Sequence, residues 1–597
     1  MLGTNRRDGY LPLPFGGAPH KAKVHGRSRF WVLLALAIVG SFIFIGTITS
    51  GREGQHGSRS IKQLPYHIFG AGNGPSDGYH PGVQEPEDRC QLDPKTLAHL
   101  NLTASISYAR RYVRQRPYEE GPHSKSRDPQ LIEEVGEGLF KQVEGVDLVN
   151  ARSLVMGHGS DGSAGTTTAA GTSTTGGGKD HDAGSLDGDE VPDDSKSTDT
   201  GEADKGELRE SSQSTRLRAT PKNTSHQKVE LQHCFDETLS LYTKQNFNPV
   251  DARHLMFGVA STAERLLELA PTMATWLAHT GARLISIVPD SDKVAQLQEM
   301  FEALGIDAVV LLSNEPYLKN YFKLVEAFYI HADSATRWVT FLDDDTHYFS
   351  LRRFVQMLDK YDAGREHYVG GVSEDFRQMR GPGIYAFGGA GVSLSVPLLE
   401  KMHWNYPHCQ GILSPDPNTP GDLRLAKCIY FHTATKLSME TDIHQVDLLG
   451  DTAGILEGPS PPISFHHYRS WSPHDVLRTT KAGKLCGGSC LFQRWKFTRP
   501  VAGYAFTTLH LGFSIVRYAV GVFPDMARTE RTWATFPESI FDHSLPPLRD
   551  PLVEGVDRFT YRLEGSGDEA DGVFRQTYVR RAASETENDS VLELFWI

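Results

Sequence analysis

The chain has 597 residues, is 39% hydrophobic by composition and carries a net charge of −13. That is enough apolar material for more than one folded unit, and the acidic balance excludes a basic domain for nucleic acid. Six cysteines in so long a chain do not make a disulfide scaffold, although a few local bridges fit an oxidising compartment.

The amino-terminal 29 residues include Lys21, Lys23, Arg27 and Arg29, and they precede a continuous apolar run from Phe30 to Ile48. At ~1.5 Å rise per residue such a helix spans roughly 28 Å, close to the hydrocarbon thickness of a bilayer. The positive-inside rule places 1–29 in the cytosol and everything beyond the 30–48 signal anchor in the lumen, as in a single-pass type II protein. A cleaved signal peptide is the alternative, and the long basic leader and long apolar core weigh against it. Residues 49–227 read as a stem. Within it, 157–225 is low-complexity sequence with too little apolar surface to offset its ordering entropy, and is expected to be disordered. Leu100 to Val113 carries enough apolar pattern to pack on a later domain. Asn101, Asn223 and Asn588 begin N-glycosylation sequons if the chain is luminal.

From about residue 228 the sequence alternates apolar runs with helical periodicity. His254–Ala260, Arg283–Val288, Ala308–Leu312 and Trp338–Leu342 read as strands. Between them lie helical stretches: one from Ala263 to His279, bent at Pro271, one capped by Ser291 and stopped at Gly305, and Tyr317–His331. Ser350 is placed to cap a further helix. This β-α-β-α-β-α-β order implies a largely parallel sheet between helices, with ligands beyond the carboxyl ends of its strands. The first strand runs into Ser261-Thr-Ala-Glu with no glycine-rich phosphate loop, which disfavours dinucleotide-binding and P-loop enzymes.

Where the fourth strand ends, Asp343, Asp344 and Asp345 follow in succession. Adjacent like charges repel, so a buried cluster of this kind points to a divalent cation on oxygen ligands; a solvated acidic turn is the plainer reading. Downstream, Phe387-Gly-Gly-Ala-Gly precedes a helix at Pro397 to Met402, and Gly388 and Gly389 would let backbone approach a ligand, or simply form a turn. Asp422, in Pro420-Gly-Asp-Leu-Arg-Leu-Ala-Lys-Cys, opens a helix and is otherwise read as a cap. Then come His444-Gln-Val-Asp-Leu-Leu-Gly-Asp and Ile463-Ser-Phe-His-His.

In that order, these motifs resemble the Fringe-like glycosyltransferases of family 31. Pro-Gly-Asp-Leu-Arg-Leu-Ala-Lys-Cys and Ile-Ser-Phe-His are similar to core 1 β-1,3-galactosyltransferases. His444-Gln-Val-Asp-Leu-Leu-Gly-Asp and Arg531-Thr-Trp are similar to the plant and fungal Fringe-related branch with a domain of unknown function. The resemblance covers about His254 to Trp533. It implies an α/β fold of the nucleotide-diphosphosugar transferase (GT-A) type, with a Rossmann-like mixed sheet over 228–475. It further implies a metal-dependent, inverting enzyme that moves a sugar from a UDP-sugar to a glycan or glycoprotein hydroxyl, with a β-1,3 linkage, in the Golgi or endoplasmic reticulum membrane. In this reading Asp343, Asp345 and His466 hold Mn²⁺, with His467 as rival to His466. Asp343, Asp344, Gly388 and Gly389 meet the donor, and Asp422 is the general base. The core 1 enzymes have an acidic pair there, whereas Gly421 precedes Asp422 here.

Residues 476–545 read as a β-rich extension and 546–597 as an acidic, loosely ordered tail. Within the extension, Val501–Phe523 is apolar enough for a second membrane span, but Leu509, Leu511, Phe513 and Ile515 alternate with smaller or polar residues, as in a strand with one buried face. Cys409–Cys428 and Cys486–Cys490 are candidate bridges. Two other functions compete: a non-catalytic glycan-binding protein on the same fold, and a haloacid-dehalogenase-type phosphatase. The latter wants Thr or Val two residues beyond its second aspartate, where His347 stands.

Overall fold

A computed structural model describes residues 91–92, 94–117, 131–134, 143–147, 229–230, 238–243, 250–497, 503–534, 547–569 and 572–597. The expected cytosolic tail, membrane anchor and disordered stem segment lie outside the described residues. Among the described residues no helix is long and apolar enough to cross a membrane.

The strands of the α/β part are β1 (Leu255–Ala260), β2 (Arg283–Val288), β3 (Asp307–Leu312), β4 (Trp338–Leu342), β5 (Tyr368–Gly370), β6 (Val392–Ser395) and β7 (Leu437–Met439). They form one sheet in the order β7-β5-β6-β4-β1-β2-β3. β6 runs antiparallel to both its neighbours and every other pairing is parallel. The helices are α1 (Ala263–Leu277), α2 (Val294–Ala303), α3 (Tyr317–His331), α4 (Leu351–Leu358), α5 (Val396–His408) and α6 (Gly421–His432).

Burial on both faces explains the continuous apolar strands. Along β1, Leu255, Phe257 and Val259 enter the core shared with α1, α2 and α4, while Met256 and Ala260 enter the one shared with α3, α5 and α6. Gly258 is small because the Phe328 ring of α3 fills its place: a Cβ there would lie 2.3 Å from Phe328 Cζ. Thr262 caps α1 by accepting the Arg265 N–H, and Ser350 caps α4 by accepting that of Arg353. α2 starts later than expected, at Val294; Ser291 Oγ accepts the Lys293 N–H and shapes the turn before it.

A second, longer sheet joins carboxyl-terminal strands to strands from the amino-terminal part of the chain. From one edge it runs through Leu131–Glu134, Arg494–Phe497, Tyr504–His510, Ser514–Ala519, Arg558–Asp568, Phe574–Arg580, Asp589–Trp596 and Ser105–Pro117, with Val143–Asp147 and Leu239–Thr243 both paired to the last. Three expectations change here. The presumed acidic tail over 546–597 supplies three strands of this sheet: Tyr561, Leu563, Phe574, Tyr578, Leu592, Leu594 and Trp596 point into its core at period two, a pattern that net acidity conceals. Part of the presumed stem, Ser105–Pro117, pairs in parallel with Asp589–Trp596, and Leu239–Thr243 joins this sheet rather than the α/β unit, while Val229–Glu230 pairs with Gln91–Leu92 in a separate two-stranded sheet. The single strand expected around Leu509–Ile515 is a hairpin that turns at Gly512, whose φ of +86° suits glycine. Cys409–Cys428 and Cys486–Cys490 are both bridged.

A buried ion network ties the two halves. Arg558 reaches Glu457 at 2.7 Å and Glu530 at 2.9 Å, and Ser514 Oγ donates to Glu457 at 2.7 Å. Burial alone would push the Glu457 carboxyl up, but Arg558 and Arg562 hold it well below the ordinary carboxylate range. Arg558→Ala removes the buried cation that the two carboxylates share and leaves Glu457 to Arg562 and Glu530 to Arg549, so we expect a loss of up to about 3 kcal/mol in urea unfolding at pH 7. Because the folded Glu457 carboxyl is depressed, its contribution is present above the ordinary carboxylate range and fades as pH falls through and below it. The variant's deficit should therefore shrink in acid.

Candidate functional site

The three aspartates leave β4 at its carboxyl end, beside the carboxyl end of β1, where the sheet's connections diverge to either side. Each carboxylate has its own partner. Tyr317, at the start of α3, donates its hydroxyl to Asp343 Oδ1 at 2.8 Å. Asp344 takes a two-pronged contact from Arg265 of α1, with Nε at 2.6 Å, and accepts the Ser261 hydroxyl. Asp345 Oδ1 lies 2.9 Å from His466 Nε2, and Asp343 Oδ2 lies 3.5 Å from the same nitrogen.

His466 is buried, with its Nδ1 3.1 Å from the Gln445 carbonyl oxygen. Nδ1–H donation to that carbonyl leaves Nε2 facing the carboxylates, which is how a metal-binding histidine is commonly oriented. Burial opposes its charge, but the hydrogen bond to Asp345 and the charges of Asp343 and Asp345 push its pKa up to about 9. Burial raises the Asp343 carboxyl despite His466 and Tyr317, whereas for Asp345 the hydrogen bond and charge of His466 outweigh burial and leave it lowered. The donor atoms of Asp345, His466 and His467 all lie within 4.8 Å of one another. His467 turns elsewhere, with Nε2 3.5 Å from Asp447 Oδ1 and its ring stacked on Trp471 at 4.1 Å. These carboxylate and imidazole donors suit Mn²⁺ or a similar divalent ion. A second cluster, His408, Cys409 and His432, does not qualify, because Cys409 is disulfide-bonded.

The glycine loop borders this cluster. A Cβ on Gly389 would lie 2.1 Å from His466 Nδ1, and one on Gly388 would lie 2.7 Å from the Tyr321 hydroxyl. The room the two glycines leave is thus taken by the protein's own side chains. Thr346 Oγ1 donates to the Gly389 carbonyl at 2.9 Å, tying the loop back to the aspartates. Asp422, in the first turn of α6, accepts the Gly388 N–H at 2.9 Å and the Leu423 N–H at 2.7 Å. Burial, reinforced by the Asp343 charge and opposed by the Gly388 N–H, pushes Asp422 up to about 6.

All the residues singled out from sequence therefore meet in one place. Sequence reasoning missed Tyr317, Ser261, Arg265, Tyr321 and Gln445. Ser261 and Arg265 had a usable signal, since they follow the strand next to β4. His347, two residues beyond Asp345, is fully buried with both ring nitrogens unpartnered and its ring lies against Phe349 and Tyr468.

Residues 314–477 match the family model described as Fringe-like. This stretch is a Fringe-like domain. It contains Asp343, Asp344, Asp345, Gly388, Gly389, Asp422 and His466. A search of curated proteins gave no match. Among solved structures, the glycosyltransferase GlyE of Streptococcus pneumoniae TIGR4 is 13% identical, with a TM-score of 0.24, over 32% of this chain and 46% of that one. Mouse xyloside xylosyltransferase 1 is 14% identical, with a TM-score of 0.20, over 28% and 77%. S. aureus TarS 1-349 in complex with UDP is 14% identical, with a TM-score of 0.16, over 20% and 35%. The chain thus spans less than half of the first of these, and at such TM-scores the likenesses bear no functional weight.

Two outcomes follow for the Fringe-like site. Were Mn²⁺ to bind here, it would displace the proton that the neighbouring carboxylates hold on His466 up to about pH 9, so binding at pH 7.5 would release about one proton. Calorimetry in buffers of different ionisation enthalpy measures it. Gly389→Ala drives a methyl into the His466 ring and should weaken Mn²⁺ binding at least tenfold with the circular dichroism spectrum unchanged.

Proposed function

We propose that the protein is a divalent-metal-dependent, inverting glycosyltransferase that moves a sugar from a UDP-sugar to a glycan or glycoprotein hydroxyl, forming a β-1,3 linkage. The observation that carries this reading is the convergence of Asp343, Asp345 and His466 with Asp422 inside the Fringe-like domain. The sheet order, with β6 alone antiparallel beside the strand that delivers the aspartates, fits the GT-A type of fold. The apolar 30–48 segment after a basic leader supports a type II protein of the Golgi or endoplasmic reticulum membrane.

Asp343, Asp345 and His466 would hold Mn²⁺. When bound, the ion supplies Lewis-acid neutralisation of the charge that grows on a departing diphosphate. Asp422 works on the acceptor: a carboxylate with a pKa of about 6 is ionised at neutral pH yet basic enough to take a hydroxyl proton in the transition state. Its hydrogen bonds from Gly388 and Leu423 fix its orientation. Direct attack by the activated oxygen on the anomeric carbon inverts that centre, so an α-linked donor gives a β-linked product. Tyr317 and Arg265, by holding Asp343 and Asp344, keep the metal face preorganised before substrate arrives.

The full-length protein, purified in detergent and given a panel of UDP-sugars with Mn²⁺, should release UDP only when metal is present. Asp345→Ala should remove this activity, and Asp422→Asn should lower kcat by roughly 10²–10⁴. In the unsubstituted enzyme, kcat/KM should fall about tenfold per pH unit below pH 6, as Asp422 becomes protonated, and level off above it. Donor binding without turnover in any condition would favour a glycan-binding protein, and hydrolysis of simple phosphate esters a phosphatase.

A further inference from the structure

Behind His466 lies a short buried turn, His444 to Asp447, that touches the candidate metal site at three points. The His444 carbonyl accepts the His466 N–H at 3.2 Å, and the Gln445 carbonyl meets His466 Nδ1 at 3.1 Å. The Gln445 side chain accepts the Ala390 N–H at 2.9 Å, which anchors the glycine loop. The placement of the imidazole is therefore inherited from the placement of this turn.

The turn is held in a conformation its sequence does not favour. Val446 has φ +61° and is completely buried, packed with residues of the carboxyl-terminal sheet. A β-branched residue adopts left-handed backbone only where its surroundings over-determine it. Glu374 is the side chain that spans the turn. Also buried, it sets Oε1 3.2 Å from His444 Nδ1 and accepts the Asp447 N–H on Oε2 at 3.2 Å. One forked carboxylate thus grips both ends, on either side of Val446. Asp447 is gripped again by the Ser373 hydroxyl.

We propose that Glu374 is a positioning residue for the metal site: it clamps the His444–Asp447 turn so that the Gln445 carbonyl presents His466 Nε2 to Asp343 and Asp345. The inference rests on the reading of those three residues as a cation site. Only a two-oxygen acceptor holds both donors with the histidine in its Nδ1–H form. Glutamine retains one acceptor oxygen for the Asp447 N–H and meets His444 through the opposite tautomer. Alanine retains neither contact.

The experiment is a titration of the full-length protein with Mn²⁺, free ion being followed by electron paramagnetic resonance and folding by circular dichroism melting without metal. Glu374→Ala should weaken Mn²⁺ binding tenfold or more, in the range expected for an outer-shell partner of a metal ligand, and Glu374→Gln should recover binding to within a few-fold of the unsubstituted chain. His444→Phe, which fills the ring's space but releases one end of the clamp, should weaken binding several-fold and serves where the alanine variant does not fold. Unchanged affinity in folded Glu374→Ala or His444→Phe overturns the proposal while Asp345→Ala still abolishes binding. If the unsubstituted protein binds no Mn²⁺, the cation site and the clamp fall together.

Discussion

Three neighbouring carboxylates at the end of one buried strand cannot share a single environment, and the site depends on how that repulsion is resolved. The fold separates them by direction. Asp343 turns to Tyr317 on α3, Asp344 to Arg265 and Ser261 after β1, and Asp345 to His466 more than a hundred residues away. A half-buried carboxylate left without such a partner would cost several kcal/mol or take up a proton. Two of the three partners come from elements flanking the sheet's switch point, and the third must be brought in from outside the sheet. The site exists only once both arrangements are made.

Bringing in that third partner explains why the Fringe-like segment is built against a second sheet. Phe349, Val446, Phe465 and Tyr468 belong to the region that carries His466, yet they are buried in the same core as Trp495, Leu509, Leu592 and Trp596. The Arg558–Glu457–Glu530 network fastens the loop after Asp447 to the same sheet. Loops that supply chemistry are ordinarily less ordered than the scaffold beneath them. Here the His444–Tyr468 region is given a scaffold of its own, from strands near both ends of the chain.

The α/β alternation was legible because both faces of its strands are buried, which produces unbroken apolar runs at helix-length spacing; β4 and α3 lie where periodicity puts them. The carboxyl-terminal sheet was less legible. In Asp589–Trp596 the inward Leu592, Leu594 and Trp596 alternate with Glu593, whose charge is absorbed inside the fold by Tyr108, Thr577 and Arg575. Net acidity suggested a solvated tail because it counts charges without pairing them. In the site, residue types that carry chemistry announced themselves: carboxylates in a row, histidines at a strand end. Tyr317, Gln445 and Glu374 did not, since nothing in their local sequence separates them from surface or core residues. Their roles arise only from tertiary proximity. Gly388 and Gly389 fall between these cases, legible as close approaches, although the approaching groups are Tyr321 and His466.

The neighbouring histidines show why one ambiguity could not be settled without a backbone. In an extended strand His466 and His467 would face opposite sides, and a slip of one residue would exchange them. The strand Ser464–Phe465 ends immediately before the pair, and His467 takes φ +55°, which breaks the alternation at that point. His466 keeps the direction set by the strand and by its hydrogen bonds to residues 444 and 445, so its ring lies over Gly389, facing Asp343 and Asp345. His467, released from that register, swings to Asp447 and stacks on Trp471. Left-handed backbone therefore occurs at two positions around one imidazole, buried Val446 on one side and half-buried His467 on the other, and neither is a glycine. Such strain is tolerated where the surroundings fix a geometry the chain would not choose alone. What is fixed is the direction of a single nitrogen, His466 Nε2.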